Sequence, residues 1–114
     1  MKRERRGAGW ERAAAMYLEE HGATVRELNY AVLGGEIDII CEMDGFLVFC
    51  EVKQRFNARY GTAEEAVDAG KRRRIRKTAA EYLRGQSNRL PVRFDVIEIT
   101  EEGLRHKKGA FADA

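Results

Sequence analysis

The sequence predicts a mixed α/β domain, with helices packed on a sheet whose centre includes a β-hairpin. Three observations predict it. Apolar residues recur at helical spacing near the N-terminus and again around residue 75. Two apolar runs rich in Ile, Val and Phe flank Asp44–Gly45, a turn signal. A third run, VRFDVIEIT, follows the second helical stretch. At 114 residues the chain reads as a single domain spanning 1–114.

The elements follow in order. Trp10, Ala13, Ala14, Tyr17, Leu18 and His21 lie three and four apart, one face of an α-helix, and Gly22 suits its C-terminal stop. ATVRELNYAV (23–32) alternates weakly and reads as a strand, closed by Gly34–Gly35. Residues 36–42 and 46–54 are the two strands of the hairpin. QRFNARYGTAEEAV reads as a loop leading into a short element. Asp68 suits an N-cap for a helix over 69–85 that buries Ile75, Ala79, Tyr82 and Leu83. GQSNRLP is a loop, and Pro91 stands where the strand 92–100 begins. HKKGAFADA reads as a short tail that packs Phe111.

Composition narrows the class. Charged residues are 35% and apolar ones 44%, as expected of an ordinary folded cytoplasmic domain. The net charge of +2 is too small to prove an acidic partner, but its distribution is uneven: KRRRIRK (71–77) is almost wholly basic, and the chain opens MKRERR. No signal-peptide pattern and no membrane-length apolar run is present, so no membrane partner is expected. Cys41 and Cys50 are too few for a disulfide framework and suit buried, reduced core positions.

The hairpin raises a chemical question. With Asp44 and Gly45 as the two loop residues, Met43 faces Phe46, Asp38 faces Glu51 and Glu36 faces Lys53. Alternation puts Ile37, Ile39 and Cys41 with Val48, Cys50 and Val52 on an apolar core face. Cys41 and Cys50 come out diagonal, roughly 7–8 Å apart, where a disulfide would be strained. The opposite face carries Glu36, Asp38, Glu51 and Lys53 together with Ile40, Leu47 and Phe49, so it is at least partly covered. Two carboxylates about 5 Å apart repel by ~3 kcal/mol at an effective dielectric near 20. A positive group between them would relieve that. Lys53 is one candidate, and a divalent ion is the other. Oxygen donors without His or Cys nearby suit Mg2+ or Mn2+. The plain alternative is a solvated amphipathic face laced by cross-strand ion pairs.

An acid, a hairpin and then Glu–x–Lys resembles the PD-(D/E)xK superfamily, with Asp38 in GEID and Glu51 and Lys53 in EVK. GAGWERAAAMYLEEHGATV, GGEIDIICEMDGFLVFCEVKQR, YGTAEEAVDAGKRRRIRKTAAEYL and RFDVIEI together resemble the small bacterial YraN family, which is similar in turn to archaeal Holliday-junction resolvases. The resemblance covers nearly the whole chain. It implies a restriction-endonuclease-like core and a Mg2+- or Mn2+-dependent endonuclease acting on DNA, with branched DNA and a homodimer as the substrate and assembly it points toward. It further implies Asp38 and Glu51 as metal ligands, Lys53 as the catalytic lysine, and Glu11 as an acid reaching the site from the first helix. Without the resemblance, Glu11 is a solvated acid that favours the helix dipole. The family carries arginines around the asparagine before GEID, whereas Leu28 and Ala31 flank Asn29–Tyr30 here.

The basic residues suit a nucleic-acid backbone. Arg73 and Lys77 share a helical stripe, Arg76 lies nearby, and Lys71 stands one turn before the buried Ile75, facing the site. Arg55 shares the strand face of Lys53 and suits a neighbouring phosphate. The plain alternatives are a strand-end surface cation and a solvated helix with pairs such as Lys77–Glu81. Two functions fit the sequence: a metal-dependent endonuclease, and a non-catalytic nucleic-acid-binding module that keeps the fold. Opposed carboxylates favour the first.

Overall fold

A computed structural model describes residues 2–56 and 67–112, with side chains from residue 9 onward. The loop expected after Gln54 falls almost entirely outside the described residues, as does the basic character of the N-terminal side chains. Two helices and five strands form the fold: α1 (Lys2–Glu20), β1 (Thr24–Val32), β2 (Gly35–Met43), β3 (Phe46–Gln54), α2 (Ala69–Arg84), β4 (Val92–Thr100) and β5 (Gly103–Phe111). The sheet order is β1-β2-β3-β4-β5. Only β3 and β4 run parallel, and α2 is the crossover between them. This mixed sheet between helices is compatible with a restriction-endonuclease-like core.

Both faces of the sheet are covered. Ala14, Ala15 and Leu18 of α1 pack on Ile39, Cys41, Met43, Val48, Cys50, Ile97 and Ile99. Ile75, Ala79 and Tyr82 of α2 pack on Ile37, Ile40, Leu47, Phe49, Phe94 and Val96. Alternation predicts one apolar core face and a second that is partly covered, and both are packed. The central strands are buried on both sides, so their apolar runs are nearly continuous. Both cysteines are buried and free, and burial pushes the Cys41 thiol up to about 12.

Local chemistry sets the element ends. Gly22, at φ +96°, closes α1, and the Ala23 N–H reaches back to the Leu18 carbonyl at 2.9 Å. Asp68 caps α2 by accepting the Lys71 N–H at 2.9 Å. Asp44 and Gly45 have φ +57° and +80°, the two positive values of a type I′ hairpin turn. The C-terminal stretch read as a tail is instead β5, an antiparallel edge strand on β4.

Candidate functional site: a carboxylate pair where the hairpin ladder stops

The turn fixes the register. Met43 pairs with Phe46, Cys41 with Val48 and Ile39 with Cys50, as expected from the Asp44–Gly45 loop. There the β2–β3 ladder ends. One step further, the Val52 N–H donates to Asp38 Oδ2 at 2.8 Å, so a side chain takes the place of a backbone acceptor. The Asp38 backbone N–H is aimed in turn at the Glu51 carboxylate. Asp38 and Glu51 are therefore direct neighbours that clasp each other's strand. The strands part before Glu36 and Lys53 can face each other: Glu36 pairs with Ala31 on β1, and Lys53 lies beside Glu98 on β4. The expected Glu36–Lys53 opposition is thus not formed.

A backbone irregularity lies beside Asp38. The β1–β2 register reads Leu28 with Ile39 on one side and Tyr30 with Ile37 on the other, so neither strand gains a residue. Yet Ile37 sits with Ile40 under α2, while Ile39 packs under α1. Strict alternation would put Ile37 and Ile39 on one face. Between Leu28 and Tyr30 stands Asn29 in the left-handed region, at φ +55°, a conformation that Asn tolerates better than most residues.

Both carboxylates are nearly buried, Asp38 at 7% and Glu51 at 3% exposure. Burial, and then the charge of Asp38, push the Glu51 pKa well above the ordinary 4.5, with Lys71 pulling the other way. The Lys71 ammonium from α2 lies 3.4 Å from Glu51 Oε1, where its place one turn before Ile75 predicts it to face. Glu51 Oε2 is buried and has no hydrogen-bond partner. Lys53 is exposed at the strand end, so the cation seated on Glu51 is Lys71. Arg55 Nη1 lies 2.6 Å from Glu98 Oε2 and is engaged there. On α2, Arg73 and Lys77 are exposed, while Arg76 donates to the Ala112 carbonyl at 3.4 Å. Glu11 is half-buried on α1. Among the described residues, no three His, Cys, Asp or Glu side chains form a metal-holding group, so the site is a pair of carboxylates.

Two further acids escaped the sequence reading. Asp95 and Glu98 are almost fully buried in β4. Arg93 bonds Asp95 through Nε and Nη2 at 2.9 and 3.1 Å, His106 Nε2 bonds it at 2.7 Å, and the Gly109 N–H bonds it at 3.0 Å. The other ring nitrogen of His106 meets the Tyr17 hydroxyl at 3.1 Å. Burial would raise the Asp95 pKa, but the bonds from His106, Arg93 and Gly109 outweigh it and hold it below the ordinary range. Glu98 is flanked by Arg55 and Arg105. The signal that singled out Asp38, an acid inside an apolar strand, was present in VRFDVIEIT too. What separates the two sites is satisfaction: the β4 acids have cations and donors, while one oxygen of Glu51 has neither.

Residues 10–99 match the family model described as "Uncharacterised protein family UPF0102". The chain belongs to the UPF0102 family. A UPF0102 protein of Lachnoclostridium phytofermentans is 44% identical, over 97% of this chain and 96% of its own length. One from Clostridioides difficile is 39% identical over 97% of this chain and all of its own, and one from Dechloromonas aromatica is 44% identical over 94% and 88%. The match supports the YraN-like resemblance carried by the motifs, and it includes α1 from Trp10, the clasped hairpin, α2 and nearly all of β4. None of the helices among the described residues of this UPF0102 member is long and apolar enough to cross a membrane.

Proposed function

We propose that this UPF0102 protein is a metal-dependent endonuclease acting on DNA, with Asp38 and Glu51 as ligands of a Mg2+ or Mn2+ ion. The observation that carries the reading is Glu51 Oε2, a buried carboxylate oxygen without a partner beside a second carboxylate. Stability alone does not favour such an arrangement, because a buried carboxylate oxygen without a hydrogen-bond partner is costly. The donor set fits a hard divalent cation, since both groups offer oxygen and the adjoining Cys50 thiol is turned to the Glu51 backbone carbonyl in the α1-side core. When bound, such an ion would polarise a phosphate and lower the pKa of water.

The chain's own residues supply the rest. Asp38 keeps one oxygen on the Val52 N–H, which fixes its rotamer and leaves the second oxygen for a ligand. Lys71 holds Glu51 Oε1 and brings a positive charge to the place where a phosphate would lie. Lys53, exposed beside the pair, is free to swing toward the developing negative charge. Glu11 is the further acid that the family resemblance assigns to the site. Arg73 and Lys77 present exposed cations to a nucleic-acid backbone.

A second reading has its own support. Lys71 already balances half of Glu51, as it would in a nucleic-acid-binding module that keeps the fold without catalysis. Linear, flapped and four-way DNA incubated with Mg2+ or Mn2+ separates the two. The first reading expects cleavage that Asp38→Asn abolishes, together with loss of the Mn2+-induced rise in Tm. Binding without cleavage in either metal, with no metal effect on Tm, would establish the second.

A further inference from the structure

A cleft of about 270 Å3 lies between the β1–β2 turn and α2, away from the carboxylate pair. Val32 and Leu33 form an apolar wall and Lys77 supplies a cation, while Arg74 lines the cleft with its guanidinium turned toward Gly70 and Asp68. Glu81 also lines the cleft, with its charge paired to Arg84 at 2.8 Å. Leu33 is fully exposed, at 104%. An exposed leucine is unremarkable by itself. Its place is less ordinary. It is the first residue of a two-residue turn in which only Gly34, at φ +91°, needs a positive φ, and a Pro or polar residue would serve that position as well. The wall is also fixed in place. Gly35 approaches α2 so closely that a Cβ there would collide with Thr78 Oγ1, itself bonded to the Arg74 carbonyl at 2.8 Å.

We propose that this cleft receives a single unstacked nucleotide, its base against Leu33 and Val32 and its phosphate on Lys77. The proposal rests on the nucleic-acid reading above and names the feature of the substrate that the protein selects. The pairing of an apolar wall with a cation matches a nucleotide, which joins an apolar face to an anion. The volume falls just below the range of small-molecule sites, which suits one nucleotide rather than a peptide or a second copy.

Position supports it. From Gly35 to Asp38 along β2 is roughly 10 Å at strand rise. From Thr78 to Lys71 along α2 is also roughly 10 Å at helical rise. A strand with one nucleotide in the cleft would thus bring a phosphate about three stacked steps away over Glu51 and Lys71, at about 3.4 Å per step.

The test uses the full chain without divalent metal, so that binding is read apart from cleavage. Fluorescence anisotropy would compare a duplex, the same duplex with one unpaired 2-aminopurine, and a single strand. The wild type should bind the unpaired and single-stranded probes about 5- to 10-fold more tightly than the duplex, with a change in 2-aminopurine emission. Leu33→Asn, which the turn accommodates, should lose that preference and keep its duplex affinity and salt slope. Lys77→Ala should flatten the salt slope on every probe by about one unit. Equal affinity for all three probes, or a preference that survives Leu33→Asn, overturns the cleft and leaves the endonuclease reading standing. No binding to any probe overturns the cleft, while the endonuclease reading, which includes the metal, stands or falls on the cleavage assay with Mg2+ or Mn2+. If Leu33→Asn changes only the oligomeric state, the turn is an interface between copies and the proposal falls.

Discussion

Replacing Glu51 with Gln should stabilise the metal-free protein. Three effects set the sign. The Asp38 charge repels Glu51 by ~3 kcal/mol at about 5 Å and an effective dielectric near 20. Lys71 at 3.4 Å attracts it by about 5 kcal/mol under the same dielectric. Its side chain is 43% exposed, however, so solvent screening cuts that to roughly 1–2 kcal/mol. Burial of the carboxylate then costs several kcal/mol more. Gln keeps an oxygen for the Asp38 N–H and turns the orphaned Oε2 position into an N–H donor next to the Asp38 carboxylate. The net gain at pH 8 should be about 1–3 kcal/mol, a rise in Tm of roughly 4–12 °C for a domain of this size.

The pH dependence fixes the origin. The folded pKa of Glu51 is raised, so the native state holds a proton that the unfolded chain has released. The wild type therefore loses stability as pH rises from 4.5 through the folded pKa, and the mutant does not. Melts from pH 4 to 8, with and without Mn2+, would show the advantage of Glu51→Gln growing with pH and the metal-induced rise confined to the wild type. A mutant that melts below the wild type at pH 8 without metal would refute the reasoning, because it would make the Lys71 ion pair net stabilising and Glu51 a structural residue.

Three other outcomes are expected. Changing Arg73, Arg76 and Lys77 to Ala should weaken DNA binding and flatten its salt slope by roughly one unit per lost phosphate contact, and an unchanged slope in a salt titration would make this a solvated face. Gly35→Ala should cost about 1–3 kcal/mol through its collision with Thr78 Oγ1, and Thr78→Ala should restore much of that in denaturant melts. Asp95→Asn should destabilise by about 3–5 kcal/mol, because it leaves Arg93 with a poor partner in a buried setting. The depressed pKa of Asp95 implies stability that is present above its ordinary 3.8 and lost as pH falls through the folded value, so acid melts should show a loss below pH 3.8 that Asp95→Asn lacks.

The hairpin was legible because its turn is chemically specified: Asp44–Gly45 dictates the register, and the register brings Asp38 to Glu51. β5 was not, because GLRHKKGAF carries lysines, an arginine and an internal glycine where a strand signal needs apolar alternation. Its place depends on Asp95, eleven residues away from His106, and no local pattern announces that bond. The side switch of Ile37 was equally hidden. It coincides with a left-handed Asn29 on the neighbouring strand, and period-two counting assumes that no such residue occurs. The role of Lys71 was half legible: helical spacing from Ile75 pointed it inward, and only the packing of α2 on the sheet brought it to Glu51.

Asn29 has a second consequence, at the rim of the sheet. β1 and β5 are its two outer strands, and an outer strand offers a row of backbone donors and acceptors on which another chain can build. In β1 that row is interrupted by the left-handed turn at Asn29 and by a register shift between Val25 and Glu27. In β5 it is interrupted by Gly109 at φ +62° and guarded by Arg105, Lys107 and Lys108. Neither rim gives an uninterrupted template for strand addition, so the residue that breaks alternation opposite Asp38 also protects the sheet from polymerising.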